Sequence, residues 1–208
     1  MSSRLHFSAF ALLVFITIFS AIAQAATPVA RLFDKPVTEQ QLSPSPKALT
    51  DMARGMGVSK EMALATMRHT RLAEMIVEAV LKDYAKEQGI TAAPALIDRF
   101  KKQFAGQTEA GKNLQQIAEE QVWYWQIDKA LYEQYQGVVI FSQRNPQFPV
   151  SAYLKLLKAY EQRGQFEIID KRYKAIFWRG FEPPYSFEIP PDQVDFSAPW
   201  WADSDVIN

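Results

Sequence analysis

The chain has 208 residues, 23 basic and 23 acidic side chains, and no cysteine. A balanced charge argues against a nucleic-acid partner, which favours a basic face. The absence of thiols excludes disulfides, thiol catalysis and cysteine-ligated metals.

Residues 1–25 read as a secretory signal peptide. Arg4 supplies the positive start, Phe7 to Ala23 is nearly all apolar, and Ala23-Gln24-Ala25 is an A-x-A cleavage signal. Cleavage there leaves 183 residues of net charge −1, a size for one domain or one domain with an appendage. Export without disulfides fits a Gram-negative periplasm, so the expected location is periplasmic. No second apolar segment is long enough to span a bilayer, and stable membrane insertion after cleavage is not expected.

The folded part is expected to open with a short strand, 29–33, that turns through Lys35-Pro36 into a one-turn helix. Thr38 and Gln41 have capping-box spacing, and Ser43-Pro44-Ser45-Pro46 stops the helix at once. Ser45-Pro46 then starts a second helix, ended by Gly57. Ser59 caps a long third helix, ended by Gly89, with Leu72, Met75, Ile76, Ala79, Val80 and Tyr84 on its apolar face. Arg68 to Arg71 mark a bend or an exposed crossing. Pro94 begins a fourth helix with Ile97, Phe100 and Phe104 as its stripe, and Gly106 and Gly111 bracket a loop. The next helix carries Leu114, Ile117, Ala118, Val122 and Trp125 at three- and four-residue steps.

After Gly137 the pattern changes. Residues 138–141, "VVIF", read as a short buried strand. Tyr153, Leu156, Leu157 and Tyr160 form a helical stripe ended by Gly164, and 165–169 reads as a strand. Asp170 caps a last short helix through Trp178. The final 28 residues hold five of the twelve prolines and read as an extended tail. Strands 29–33 and 138–141 are expected to pair and close the bundle, with 165–169 adding an edge.

This order of parts resembles the N-terminal domain of the SurA-type periplasmic chaperones and related membrane-anchored foldases. The resemblance rests on "VARLFDKPVTEQQL" (29–42), on the helix pair "RLAEMIVEAVLKDYAKEQGITAAPALIDRFKKQF" (71–104), and on the bundle helix running into "VVIF". Met75-Ile76, Val80-Leu81, Ala85, Gly89 and Ile90 occupy the matching places. It covers roughly 29–141. Asp34-Lys35 replaces the family's usual Asn-Gly, and the parvulin isomerase domain is missing. The resemblance therefore implies a chaperone-like binding body without prolyl isomerase activity, and leaves 142–208 unassigned.

Chemistry-bearing residues are sparse. His69 is the sole histidine after the leader, and its neighbours Arg68 and Arg71 offer neither a nucleophile nor an orienting carboxylate. Glu119 and Glu120 are adjacent and diverge. Glu74 and Glu78 share a helix face, which reads as a solvated flank ahead of a glycosidase-like pair. No catalytic residue, metal site or cofactor motif is predicted.

Methionine and aromatic usage is more informative. Met52, Met56, Met62, Met67 and Met75 fall within 24 residues. Such flexible side chains serve surfaces that accept many sequences, although they also fill ordinary cores. Trp123, Trp125 and Tyr132 crowd one helix. These eight residues are the predicted peptide-binding set. The alternative is that the aromatic tail packs back over the rings and occupies the site a client would use.

The expected architecture is mostly α with a small β-sheet. It comprises the leader (1–25), a SurA-like helical domain (26–141) closed by paired strands, a β-α-β-like extension (142–180) and a proline- and aromatic-rich tail (181–208). The expected function is non-catalytic binding of unfolded or partly folded envelope (outer-membrane) polypeptides. A dedicated adaptor for one partner is the first alternative, and an enzyme of unknown type the second.

Overall fold

The computed structural model describes residues 27–106, 113–143 and 145–202; the expected leader, Gly111 and the last six residues lie outside these. The fold is mostly helical, with one small antiparallel sheet, an α+β arrangement. In chain order the elements are β1 (Pro28–Leu32), β2 (Lys35–Thr38), α1 (Glu39–Leu42), α2 (Pro46–Met56), α3 (Lys60–Gln88), α4 (Pro94–Gln103), α5 (Leu114–Tyr135), α6 (Val150–Gln162), β3 (Phe166–Ile168), α7 (Lys171–Arg179) and a 3-10 turn (Pro191–Gln193); the tail expected to be extended is instead a run of bends and turns around it.

Local chemistry sets the helix ends. Ser45 and Ser59 accept from the amides of Ala48 and Met62 at 3.2 Å each, satisfying one orphan donor per helix. Gly57 and Gly89 close α2 and α3 in the left-handed conformation, which costs glycine little. Thr38 N–H donates to Gln41 Oε1 at 2.8 Å, one half of the capping box over α1. The 29-residue α3 runs unbroken past Arg68. That side chain turns back to α1, pairing with Glu39 at 2.8 Å.

The strands depart from the expected arrangement. The Lys-Pro corner is itself a strand, β2, joined to β1 by a two-residue turn. Phe33 and Asp34 there have φ of 46° and 64°, the geometry of a type I′ hairpin. Pro36 is tolerated because β2 lies at the edge of the β2-β1-β3 sheet, where a missing N–H costs little.

The pairing of 29–33 with 138–141 is a correction. β1 is the central strand; β2 takes one edge and β3 the other, with Ala30 opposite Ile168 and Leu32 opposite Phe166. Neither side of β1 is left for residues 138–141. Residues 138–141 leave α5 through Gln136 and Gly137, with φ of 53° and 109°. They bond elsewhere: Ile140 exchanges two backbone bonds of 2.9 Å with Phe148, Phe141 N–H reaches Phe187 O, and Ile189 N–H reaches Val139 O. The segment expected to close the bundle instead moors the tail. The segments flanking α6 accordingly do not share a sheet.

One continuous core runs from Val29 and Ala30 through Leu72, Ile76 and Val80 on α3 to Tyr160, Phe166 and Trp178. A second, smaller cluster lies between α4 and α5: Ile97, Phe100, Ala118, Val122 and, from the tail, Trp201. No helix among the described residues is long and apolar enough to cross a membrane.

Candidate functional site

The side chains with most chemical content meet in a cavity of about 720 Å³ between α3, α5 and the C-terminal segment. α3 contributes Glu74, Val77, Glu78 and Leu81, and α5 contributes Glu120, Tyr124, Trp125 and Asp128. Both sets follow three- and four-residue steps, so each helix presents one stripe. Phe148, Tyr153, Trp200 and Trp201 complete an aromatic wall.

Asp128 is buried, only 3% exposed. Its carboxylate accepts from Tyr153 O–H through Oδ1 and from Asn145 Nδ2 through Oδ2, both at 2.7 Å. Burial pushes the carboxyl up to about 7, while these two hydrogen bonds pull it back. The Tyr153 phenol is raised well above its usual value, chiefly by burial and then by Asp128, so it stays a donor. At the cavity wall the Tyr124 phenol is raised by burial first, then by the charges of Glu120, Glu78, Asp128 and Glu74. Four carboxylates on two helices thus act on one ring.

The tail forms part of this site. Trp201 is 1% exposed and packs edge-on against Phe100 at 5.3 Å and Trp125 at 6.3 Å between ring centroids. Phe196 lies against Tyr132 at 4.9 Å. Gln147 clamps Asp195 through two hydrogen bonds of 2.7 and 2.8 Å, and Arg99 donates to Ala202 O at 2.6 Å. The buried Trp201 Nε1–H has no partner among the described residues. An unmet buried donor costs roughly 1–3 kcal/mol, so this seat is less stable than its burial alone implies.

Of the eight residues singled out as a peptide-binding set, Trp125 lines this cavity. Trp123 lines a smaller hollow of about 440 Å³ that shares Glu78, Glu120 and Tyr124. Tyr132 lies under Phe196. The five methionines are not brought to the cavity. Met75 packs against the main core, Met52 and Met67 are half-buried, and Met56 and Met62 stand out at the α2–α3 end, 46% and 58% exposed.

His69 packs against the Tyr173 ring at 4.5 Å, with its Nδ1 buried and without a partner among the described residues. Its pKa is lowered mainly by desolvation and then by Arg172, rather than by its sequence neighbours. Glu119 and Glu120 do diverge: Glu119 accepts from Gln115 at 2.6 Å, whereas Glu120 faces the cavity.

Sequence reasoning missed Asp128, Asn145 and Tyr153 as a group. One signal was present: Asp128 is a lone carboxylate in the apolar stripe formed by Trp125 and Leu131. Among the described residues, no group of three or more His, Asp or Glu side chains is placed to hold a metal.

The chain matches no known family model, no curated protein and no solved structure. Function has to be sought in the chemistry of the site itself.

Proposed function

We propose that this is an exported, non-catalytic, SurA-like chaperone that binds extended envelope polypeptides, outer-membrane proteins among them, in the periplasm. The observation that carries the reading is the seat of residues 195–202. This irregular, proline-interrupted stretch lies against α4 and α5 with Trp201 sealed among rings. A surface that holds one aromatic turn of chain, closed by the Ala202 N–H to Pro199 O bond of 2.7 Å, has the apolarity to hold another apolar segment. Binding is driven by apolar burial and is weak per site, because ordering a flexible client opposes it. The proposed location and client class rest on the expected leader and on the resemblance over 29–104.

The test is a light-scattering assay. The purified protein, without ATP, is expected to delay aggregation of a denatured β-barrel protein at near-stoichiometric ratio. Copurification with a single partner, and no effect in the assay, indicates a dedicated adaptor instead.

A second reading draws on Asp128. A buried carboxyl that titrates near neutrality beside a cavity is the arrangement a general acid or base needs. Yet both its oxygens are already engaged by Tyr153 and Asn145. A structural role for the group is the simpler account.

A further inference from the structure

The α3–α5 cavity adjoins the α4–α5 groove in which Trp201 sits, and Trp201 lines both. That groove is apolar, whereas the cavity combines aromatic faces with carboxylates. Glu74, Glu78 and Glu120 are exposed and line it together with Tyr124 and Trp125. Its one lining cation, Arg71, reaches Glu74 at 3.6 Å. Lys82 pairs with Glu78 from outside the lining, and Lys129 stands over the Trp125 ring at 5.5 Å, also outside it. Glu120 has no ion-pair partner among the described residues. Asp128 is already satisfied by Tyr153 and Asn145 and leaves the direct contacts to the three glutamates.

Aromatic rings with carboxylates at their margin form a site for an organic cation. The ring faces attract positive charge, and the carboxylates supply charge-assisted hydrogen bonds that a neutral side chain cannot match. On the reading that this surface binds polypeptide, we infer that the cavity takes a lysine or arginine side chain of the bound segment, flanked by apolar residues. The client class is then narrower than "unfolded". It is a segment with an aromatic residue near a basic one, the apolar part meeting the rings and the cation meeting Glu78 and Glu120.

The test uses the purified full chain and titrates its tryptophan emission with three probes. The first is an acetylated, amidated Tyr-Lys-Phe peptide. The second has glutamine for lysine. The third is spermidine, a free polyamine. The lysine peptide is expected to bind at least about tenfold tighter than the glutamine peptide, and to weaken as salt is raised. The double variant Glu78→Gln, Glu120→Gln changes two exposed side chains and is expected to fold normally and to erase the difference. Equal binding of the two peptides overturns the cation inference and leaves the polypeptide reading standing. Binding of spermidine with no binding of either peptide overturns the polypeptide reading and makes this a small-amine site. Failure of all three probes overturns both.

Discussion

Tyr153 donates its hydroxyl proton to Asp128 across 2.7 Å, with the two side chains only 4% and 3% exposed. The bond joins α5 to α6 at the buried end of the cavity. Burial of the carboxyl, which this bond only partly offsets, makes the protein's stability depend on pH in a direction opposite to that of most carboxylates.

The carboxyl of Asp128 is raised in the folded state from 3.8 to about 7. The folded protein therefore holds this proton more tightly than the unfolded chain. The stabilisation is complete below about pH 4 and is lost as pH rises to about 7, up to roughly 4 kcal/mol in all. His69, with its lowered pKa, works in the other direction. Comparing wild type with Asp128→Asn isolates the carboxyl. The urea midpoint of wild type is expected to fall relative to that of the variant between pH 4.5 and 7.5, and parallel curves count against a raised Asp128.

How much of this was legible in the sequence depends on the range over which each feature is determined. Helix ends at Ser45, Gly57, Ser59, Gly89 and Asp170 are set by residues within one turn, and the sequence announces each. The β1–β2 hairpin is equally local but uses Phe33-Asp34 at positions where Asn-Gly would have been readable. The partner of Ala30 is Ile168, and no local signal spans that separation. Glu74 and Glu78 were visible as a pair because helical spacing is periodic. The depth of Asp128 was not, because it depends on Asn145 and Tyr153 folding back over α5.

Gly137 is a position where glycine is required. Its φ is 109°, and a Cβ there would lie 2.7 Å from Cβ of Ser151. Gly137→Ala combines backbone strain with a collision between the segment that leaves α5 and Ser151 on α6. A loss of roughly 1–3 kcal/mol is expected from chemical denaturation. Gly57→Ala meets no neighbouring atom and is expected to cost nearer 1 kcal/mol, from φ alone.

The β1–β3 pair separates packing from surface charge. Phe166, 1% exposed, packs against Phe177 and Trp178, and Phe166→Ala is expected to cost about 3–5 kcal/mol. Arg31 and Glu167 on the same two strands form an exposed pair at 3.5 Å. Arg31→Ala is expected to change stability by less than about 1 kcal/mol. Similar losses for both substitutions would mean that the sheet is held by its surface.

The tail is expected to release without global unfolding. Trp201→Ala removes the ring that sits between α4 and α5, while Gln147 and Arg99 lose no partner side chain. Hydrogen exchange is expected to rise over residues 195–202 and to stay unchanged in α3 and α6. Trp201→Phe keeps most of the packing and discards the unpaired Nε1–H, so its effect is expected to be much smaller. Exchange rising throughout the chain in Trp201→Ala would make the tail an integral part of the core.

The central claim is that apolar polypeptide binds beside α5, where the C-terminal segment meets the cavity. It is tested most directly by site-specific photo-crosslinking. A photoreactive residue replaces Gln121, which lines the cavity, or Lys47, an exposed residue on α2. Each protein is irradiated with a denatured β-barrel client. The account predicts an adduct from position 121 that a lysine- and aromatic-bearing peptide suppresses, and little from position 47. Equal yields at both positions, or none at 121, would contradict it.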